Sequence, residues 1–331
     1  MGRRVALVLG AGGARGYAHI GAVQVILERG HEIVTIAGTS MGALVGGVTA
    51  AGRLEEYTEW ATGLTQYDVW RLLDMNLGGG GAIRAERVFA KVADILGGAL
   101  IEDCAVPFTA VATDLNNRRE VWFQRGPVAT AIRASVAIPS IVTPVVVGGR
   151  LLVDGGLMNP VPIEPTTATS SDLTIAVSLQ AGHTRGVDIQ PASPVRSVSA
   201  LTESVRSLTS RVGALIGHTG AEGHPTEPHA DDVAHEVEPV TESTGSPERA
   251  GADRGLDYLP APKDLTSSEV FNRSFDTMAA LITRYRMASN PPDVLVSVPS
   301  DACRTMDFHR AAEMIALGRE LTQRALDDAG Y

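Results

Sequence analysis

The sequence lacks the features of disulfide-rich, secreted and membrane-spanning proteins. It has two cysteines in 331 residues, Cys104 and Cys303, which lie far apart and without the spacing of a zinc site, so we expect free thiols in a reducing compartment. No apolar run approaches the ~18 residues that span a membrane. The apolar run at residues 5–9 is also too short for a secretory signal. These absences predict a cytoplasmic protein that contacts membranes, if at all, only at their periphery.

Positive charge is also scarce. The net charge is −10, and the sequence has no basic stripe that would suit nucleic acid, so nucleic acid is excluded as a partner. Much of the negative charge lies between residues 217 and 255, where nine acidic residues stand against two arginines. Residues 217–262 are rich in Gly, Pro, Ser and Thr and have no apolar periodicity, which is typical of a disordered insertion. Such an acidic insertion can serve as a contact for a protein partner.

Four of the eight histidines lie in this insertion, namely His218, His224, His229 and His235. Their spacing suits neither one face of a helix nor a compact zinc loop. We therefore predict no resident metal, and no other motif indicates a cofactor.

Strand and helix patterns alternate along the rest of the chain. Short apolar runs predict strands at 5–9, 33–37, 108–112, 121–123, 173–179 and 294–298, with a hairpin at 145–153. Helical spacing predicts helices at 20–28, 43–51, 195–216, 268–287 and 308–328. In the helix at 268–287 the apolar residues are expected to face one way; these are Val270, Phe271, Phe275, Met278, Leu281, Ile282 and Tyr285. This alternation predicts an α/β fold with a parallel or mixed sheet covered by helices.

The pentapeptide Gly38-Thr39-Ser40-Met41-Gly42 lies where a predicted strand gives way to a predicted helix. The pattern G-x-S-x-G allows a sharp turn because no Cβ at its glycines obstructs the neighbouring strand and helix, and it presents the serine hydroxyl above the sheet. Alone, the pattern has a second interpretation, in which Ser40 is an ordinary helix N-cap. A catalytic serine also needs an oxyanion hole and a base.

A glycine-rich loop follows the first predicted strand, at residues 10–16. It does not fit a dinucleotide site, because Arg15 stands where the third glycine belongs, and it does not fit a P-loop, because no Gly-Lys-Ser/Thr occurs. The alternative is an oxyanion hole, in which the amides of Gly12, Gly13 and Ala14 hold a developing alkoxide. Arg15 then either steadies the loop or contacts a substrate phosphate.

The base for the serine can be an aspartate or a histidine. Asp154 ends a predicted strand and is followed by Gly155 and Gly156, although an ordinary Asp-Gly turn gives the same pattern. His183 and His309 follow the serine in chain order outside the insertion. Neither histidine stands in a recognisable strand-end or glycine-flanked context, so the sequence favours Asp154.

Four motifs in order, GAGGARGYAHIG, GTSMG, AIRASVAIPS and VDGGLMNPVP, resemble those of the patatin-like phospholipases. The resemblance covers about residues 3–180. It implies a three-layer α/β/α fold with a central mixed, mostly parallel sheet. It also implies a single domain over residues 1–331, in which 217–262 is an insertion and 263–331 is the C-terminal helical part of the same domain.

The resemblance further implies a Ser–Asp dyad, with Ser40 as the nucleophile and Asp154 as the general base. It assigns the oxyanion loop to Gly12, Gly13, Ala14 and Arg15, and supporting positions to Gly10, Gly16, Gly38, Gly42, Gly155 and Gly156. Ala11 departs from the family's more common triple glycine, which puts only its own backbone contribution in doubt. His19 lies within the first motif, and we assign it a packing role. Burial that raises the pKa of the aspartate would make it a better base.

The substrates implied by the resemblance are acyl esters of lipids, reached by transient contact with a membrane surface. The apolar residues between 69 and 77, with the four glycines at 78–81, form either a mobile flap that admits an acyl chain or part of the core. Two other functions stay open. One is a thioesterase or acyltransferase, and the other is a non-catalytic regulatory or binding protein that keeps the fold and uses the acidic insertion as its contact.

Overall fold

The computed structural model of the chain describes residues 2–72, 85–139, 141–181 and 267–331. The predicted helix at 195–216, the acidic insertion at 217–262 with its histidines, and His183 lie outside the described residues. The part of the predicted flap beyond residue 72 lies outside them as well. That the whole chain forms one domain therefore stays a prediction.

Eight strands of the described residues form one mixed sheet. They are β1 (Arg4–Leu9), β2 (Glu32–Thr39), β3 (Phe108–Asp114), β4 (Arg119–Phe123), β5 (Val145–Val147), β6 (Arg150–Asp154), β7 (Leu173–Ala181) and β8 (Val294–Pro299). The strand order is β5-β6-β3-β2-β1-β7-β8, and β4 pairs with β3. The pairs β1–β2, β2–β3, β1–β7 and β7–β8 are parallel. The pairs of β3 with β4 and β6, and of β5 with β6, are antiparallel.

Helices cover this sheet. They are α1 (Ala18–Glu28), α2 (Met41–Ala50), α3 (Leu54–Thr62), α4 (Gln66–Leu72), α5 (Glu86–Leu96), α6 (Val128–Ser135), α7 (Ser267–Ser289) and α8 (Ala311–Asp328). Short 3-10 turns connect several elements, including one at Gly13–Tyr17 after β1 and one at Phe308–Arg310 before α8.

The central strand β1 shows that both faces of the sheet are buried. Leu7 and Leu9 pack into the main core, whereas Val8 between them packs into a second cluster with Val161 and Ala176. Because successive side chains of a strand point to opposite faces, packed layers must lie on both sides of β1. The predicted three-layer α/β/α fold with a mixed, mostly parallel sheet is confirmed.

The helix α7 differs from its prediction in the face that it buries. The side chains of Met278, Leu281 and Tyr285, expected on one packed face, are about half exposed or more, at 53%, 49% and 70%. The helix instead buries Ala279 and Thr283, which carry smaller side chains. The apolar periodicity of this helix therefore does not mark its contact with the sheet, because a short side chain lets the helix approach closely while longer ones stay outside.

Candidate active site

Ser40 lies at the sharp turn between β2 and α2, in a backbone conformation that only glycine adopts without strain. Its φ is 58° and its ψ is −124°. The glycines on either side make this turn possible. A Cβ at Gly38 would collide with the carbonyl of Gly42, and a Cβ at Gly42 would collide with the carbonyl of Leu9. The predicted reason for glycine at both positions, close approach of the backbone, therefore holds in the structure.

The neighbours of Ser40 hold the turn with buried hydrogen bonds. The Ser40 amide donates to Ser135 Oγ at 2.8 Å, and the Ser135 hydroxyl donates to the Val111 carbonyl at 2.6 Å. The Thr39 hydroxyl donates to the Asn159 carbonyl at 2.8 Å. Sequence reasoning did not identify Ser135 or Asn159 as partners of the turn. The only available indication was that both lie in the AIRASVAIPS and VDGGLMNPVP motifs.

The strand β3 brings Asp154 next to Ser40. Thr39, the last residue of β2, is paired with Val111, and Asp154, the last residue of β6, is paired with Ala112. Because Val111 and Ala112 are consecutive, β2 and β6 end at the same level on the two edges of β3. From there the side chains of Ser40 and Asp154 come into contact. Two residues that are more than a hundred positions apart in the sequence thus lie side by side.

The carboxyl group of Asp154 is almost completely buried, with 2% of its surface exposed. Its Oδ1 accepts a hydrogen bond from the Gly156 amide at 2.7 Å. Its Oδ2 has no hydrogen-bond partner among the described residues. The Ser40 hydroxyl interacts with this carboxyl group without completing a hydrogen bond of ordinary geometry. Catalytic hydrogen bonds are often loose before substrate binds, so this arrangement suits a serine and its base.

Burial raises the pKa of Asp154 to about 7. The Ser40 hydroxyl and the Gly156 amide both act in the opposite direction, since they stabilise the carboxylate, but desolvation of the charged form is the larger effect. A carboxylate with a pKa near neutrality accepts a proton much more readily than an ordinary aspartate.

The glycine-rich loop lies beside this pair, but its residues differ in what their polar groups contact. The Ala14 amide donates to the Thr305 carbonyl at 2.9 Å, so it is already engaged. Arg15 is buried, and its guanidinium donates to the carbonyls of Gly12 and Ser300. Of the two roles left open for Arg15, these contacts favour steadying the loop. Gly12 and Gly13 line the cavity next to Ser40 and remain the better placed candidates for oxyanion donors.

His19 packs under the same loop. Its Nε2 donates to the Gly10 carbonyl at 2.8 Å, and its side chain is fully buried. Burial lowers the pKa of His19 to about 4, so the ring is neutral and fixes the end of β1. These contacts agree with a packing role.

Two cavities meet at Ser40. The first has a volume of about 790 Å³, part of it open to solvent, and an apolar lining that includes Leu44, Tyr57, Leu64, Val69, Leu72, Val88, Phe89, Val142, Met306 and Phe308. The second has a volume of about 480 Å³, also partly open to solvent. We call it the polar cavity because, although much of its lining is apolar, it includes Arg15, Asp154, Gln180 and Asp276, whereas the described lining of the first includes no charged side chain. Gly13, Ser40, Ile138 and Ile141 line both. The serine hydroxyl thus lies where an apolar space joins a polar one.

Histidine takes no part in this arrangement among the described residues. None of the described residues that line the two cavities is a histidine, and His309 lies on the turn before α8, outside both linings. Within the same part of the chain, no three His, Cys, Asp or Glu side chains are grouped as metal ligands. No helix of the described segments is long and apolar enough to cross a bilayer.

The chain is similar to several known proteins. Residues 7–167 match the family model of the patatin-like phospholipases. An NTE family protein of Mycobacterium tuberculosis is 45% identical over 334 residues, which cover 98% of this chain and 91% of that protein, and an NTE family protein of Mycobacterium bovis matches equally. A patatin-like phospholipase domain-containing protein of Caenorhabditis elegans is 31% identical over 171 residues, 49% of this chain and 12% of that protein.

The crystal structure of VipD from Legionella pneumophila has a similar fold, with a TM-score of 0.52. The match covers 99% of this chain and 67% of that one at 14% sequence identity, so it shows the fold alone. The resemblance of the four sequence motifs is confirmed by these matches. With relatives that are 45% identical over nearly its whole length, the chain belongs to the NTE family, and its residues 7–167 match the patatin-like phospholipases.

Proposed function

We propose that the protein is a serine hydrolase that cleaves acyl esters of lipids, with Ser40 as the nucleophile and Asp154 as the general base. The match of residues 7–167 to the patatin-like phospholipases, in a chain of the NTE family, indicates lipid hydrolysis as the general activity. The observation that carries the specific proposal is the position of this pair, buried together at the junction of an apolar and a polar cavity.

The reaction follows from this arrangement in two stages. Asp154 takes the proton of the Ser40 hydroxyl while Oγ attacks the ester carbonyl, and it returns that proton to the leaving alcohol as the ester C–O bond breaks. Water then attacks the acyl-enzyme, with Asp154 accepting the water's proton and passing it to Oγ as the acid leaves. A pKa of about 7 suits both roles, because the group can hold and release a proton near neutral pH.

The oxyanion of each tetrahedral intermediate needs donors that are fixed before the reaction. We assign this role to the amides of Gly12 and Gly13, where each such donor contributes roughly 10²–10³ in rate in known hydrolases. Ala14 and Arg15 act differently. Their contacts with Thr305 and with the carbonyls of Gly12 and Ser300 hold the loop in shape.

The two cavities indicate how a lipid ester would bind. The acyl chain would occupy the apolar cavity, since burial of methylene groups there is favourable by about 0.8 kcal/mol each. The alcohol part would face the polar cavity with Gln180, Arg15 and Asp276. This places the ester carbonyl at Ser40, between the two parts of the molecule.

The test is hydrolysis of a short p-nitrophenyl ester and of a phospholipid by the wild type and by three variants. Ser40→Ala and Asp154→Asn should lose nearly all activity, about 10³-fold or more. His309→Ala should keep most of it, and it serves as the matched control. If His309→Ala is as inactive as Ser40→Ala, the assignment of the base is wrong. Substantial activity of Ser40→Ala would reject the nucleophile.

The same assay distinguishes the hydrolase from the two alternatives, a thioesterase or acyltransferase and a non-catalytic binding protein. A thioester and an added alcohol acceptor are offered alongside the ester. Faster turnover of the thioester, or acyl transfer to the alcohol in preference to water, would replace the hydrolase with a thioesterase or acyltransferase. No turnover of any acyl donor by the folded wild type would favour a non-catalytic role.

A further inference from the structure

The helix α4 has two faces with different surroundings. Its inner residues Val69 and Leu72 line the apolar cavity, and Val69 is 6% exposed. Its outer residues Tyr67 and Trp70 are 63% and 62% exposed. At this point the single helix α4 therefore separates the cavity from the solvent.

The two outer aromatic rings form a single exposed unit. Their centroids are 6.4 Å apart with an angle of 26° between the ring planes. The guanidinium carbon of Arg71 lies 5.7 Å from the centroid of the Tyr67 ring. Aromatic residues make up 5% of this sequence, so a stacked and exposed Tyr–Trp pair is an unusual use of them. Contiguous exposed apolar patches, rather than single exposed side chains, mark contact sites on protein surfaces.

We propose that Tyr67 and Trp70 form the surface by which the protein docks on a lipid bilayer, so that an acyl chain can pass from the bilayer past α4 into the apolar cavity. This proposal rests on the function proposed above. Trp and Tyr are the side chains that proteins place at membrane interfaces, because their rings are apolar and their N–H or O–H groups remain hydrated.

A lipid surface fits this site better than a second protein does. The lipid that enters the cavity comes from a lipid phase, and the same helix that lines the cavity carries the aromatic pair.

The charges around the pair indicate which lipids the surface accepts. Arg71 and Asp68 carry opposite charges on the same short helix, so the residues of α4 itself contribute no net charge. The whole chain has a net charge of −10. We therefore expect docking on zwitterionic phosphatidylcholine vesicles, and weaker docking when anionic lipid is added, because the net charge is repelled.

The first experiment uses the fluorescence of single tryptophans, since the chain has three: Trp60, Trp70 and Trp122. All proteins carry Ser40→Ala, which prevents hydrolysis of the vesicles. With Trp60→Phe and Trp122→Phe, only Trp70 remains. Phosphatidylcholine vesicles should shift its emission to shorter wavelength, and brominated acyl chains should quench it.

The matched control retains only Trp122, by Trp60→Phe and Trp70→Phe. Trp122 is also exposed, at 43%, but lies on β4 and lines neither cavity. Its emission should not change. Equal changes at both tryptophans, or none at Trp70, would overturn the proposal. If the emission of Trp70 shifts when the protein concentration is raised in the absence of lipid, the pair forms an interface between copies of the chain instead.

The second experiment measures sedimentation with phosphatidylcholine vesicles. The double variant Tyr67→Ala/Trp70→Ala should bind roughly tenfold more weakly or worse, given the free energy of burying aromatic surface. Tyr285→Ala removes an exposed aromatic ring from α7, and should bind like the parent protein. If Tyr285→Ala weakens binding and the double variant does not, docking occurs through α7 and the proposal fails.

The proposed hydrolase function and the proposed docking surface can be rejected independently of each other. In the background with Ser40 intact, the double variant should hydrolyse a short soluble ester at the wild-type rate and lose activity only on vesicles. An equal loss on both substrates would show damage to the site rather than to docking, and would overturn the role of the pair. An inactive wild type that still docks through Trp70 would reject the hydrolase and keep the docking surface.

Discussion

The turn around Ser40 and the helix α7 both border the candidate site, yet they are held in place by different forces. Backbone atoms in close contact fix the turn, as at Gly38 and Gly42, together with buried hydrogen bonds. Side chains that are partly exposed fix α7, chiefly Arg286 with Glu120 and Glu164. The difference predicts that the turn tolerates almost no change, whereas α7 can lose a contact and keep its position.

The largest expected effect comes from adding one methyl group at the turn. In Gly42→Ala, the new Cβ would overlap the Leu9 carbonyl, so the sheet and α2 would have to separate. We expect a loss of about 3 kcal/mol or more in the free energy of unfolding, together with loss of ester hydrolysis. Urea denaturation followed by circular dichroism measures the stability.

The matched control for this change is Gly63→Ala. A Cβ at Gly63, which follows α3, would only touch neighbouring carbonyls at 3.5 Å, an ordinary contact. Stability should change by less than about 1 kcal/mol. Similar losses for both variants would show that the turn is no more constrained than an ordinary helix end.

Asp154→Asn should abolish activity and yet stabilise the fold above neutral pH. In the folded state burial raises the pKa of Asp154 to about 7, whereas in the unfolded state it lies near ~3.9. Between these values the folded state keeps the proton and the unfolded state releases it, so wild-type stability falls as the pH rises from about 4 to about 7. Asparagine is neutral in both the folded and the unfolded state, so the stability of the variant does not fall in this way as the pH rises.

The variant should therefore match the wild type near pH 4 and exceed it by a few kcal/mol at pH 8, an order of magnitude set by the size of the pKa shift. Urea denaturation at both pH values measures this. For the wild type, kcat/KM on a short ester should rise with pH through about 7 and then level off, because the base must be deprotonated. A variant that is less stable at pH 8, or a flat activity profile, contradicts the buried base.

The sequence was sufficient to predict the turn but not the role of α7. Gly38, Ser40 and Gly42 could be identified because the pattern that contains them is short and lies where a strand gives way to a helix, although the carbonyl that a Cβ at Gly42 would meet belongs to Leu9 on β1. The contacts of α7 depend on partners such as Glu120 and Glu164, which lie more than a hundred residues away, and no pattern within the helix reports them.

The same limit applies to the oxyanion loop but not to the strands. Arg15 was left with two roles because Ser300, the carbonyl that its guanidinium contacts, comes from a loop near the other end of the chain. The strands were predicted close to their observed bounds, since buried apolar runs are distinctive. The helices α3 to α6 were not predicted from the sequence, although α3 contains both apolar and charged residues.

Ser135→Ala should have an intermediate effect, because it removes a hydrogen bond from the turn without a steric clash. The Ser40 amide would lose its acceptor and the Val111 carbonyl its donor, both in a buried site. Leaving buried polar groups unpaired costs about 1–3 kcal/mol in stability. We expect kcat to fall by roughly 10- to 100-fold with KM little changed, since the loss acts on the position of Ser40.

Steady-state kinetics on a soluble ester separate these two constants. A rise in KM at constant kcat would instead assign Ser135 to substrate binding, and it would remove the distinction between groups that hold the turn and groups that bind the ester.

The smallest effect is expected at Arg286, the main polar anchor of α7. Its guanidinium contacts Glu120, Glu164 and the Met158 carbonyl, but it is 26% exposed, so water screens part of each interaction. Arg286→Met should cost about 1 kcal/mol in stability and change kcat/KM by less than about tenfold. The carboxylates of Glu120 and Glu164 would remain joined through the side-chain amide of Asn159.

The control for Arg286→Met is Arg324→Ala on α8, which breaks an exposed ion pair with Glu320 and should change nothing measurable. A loss of activity in Arg286→Met as large as that of Ser135→Ala would show that α7 positions the catalytic pair as strictly as the turn does. Asn159 could transmit such an effect. Its side-chain amide donates to both glutamates, and its backbone carbonyl accepts the hydrogen bond of Thr39 next to Ser40. A small loss would instead show that the strained turn holds Ser40 largely without help from the helix.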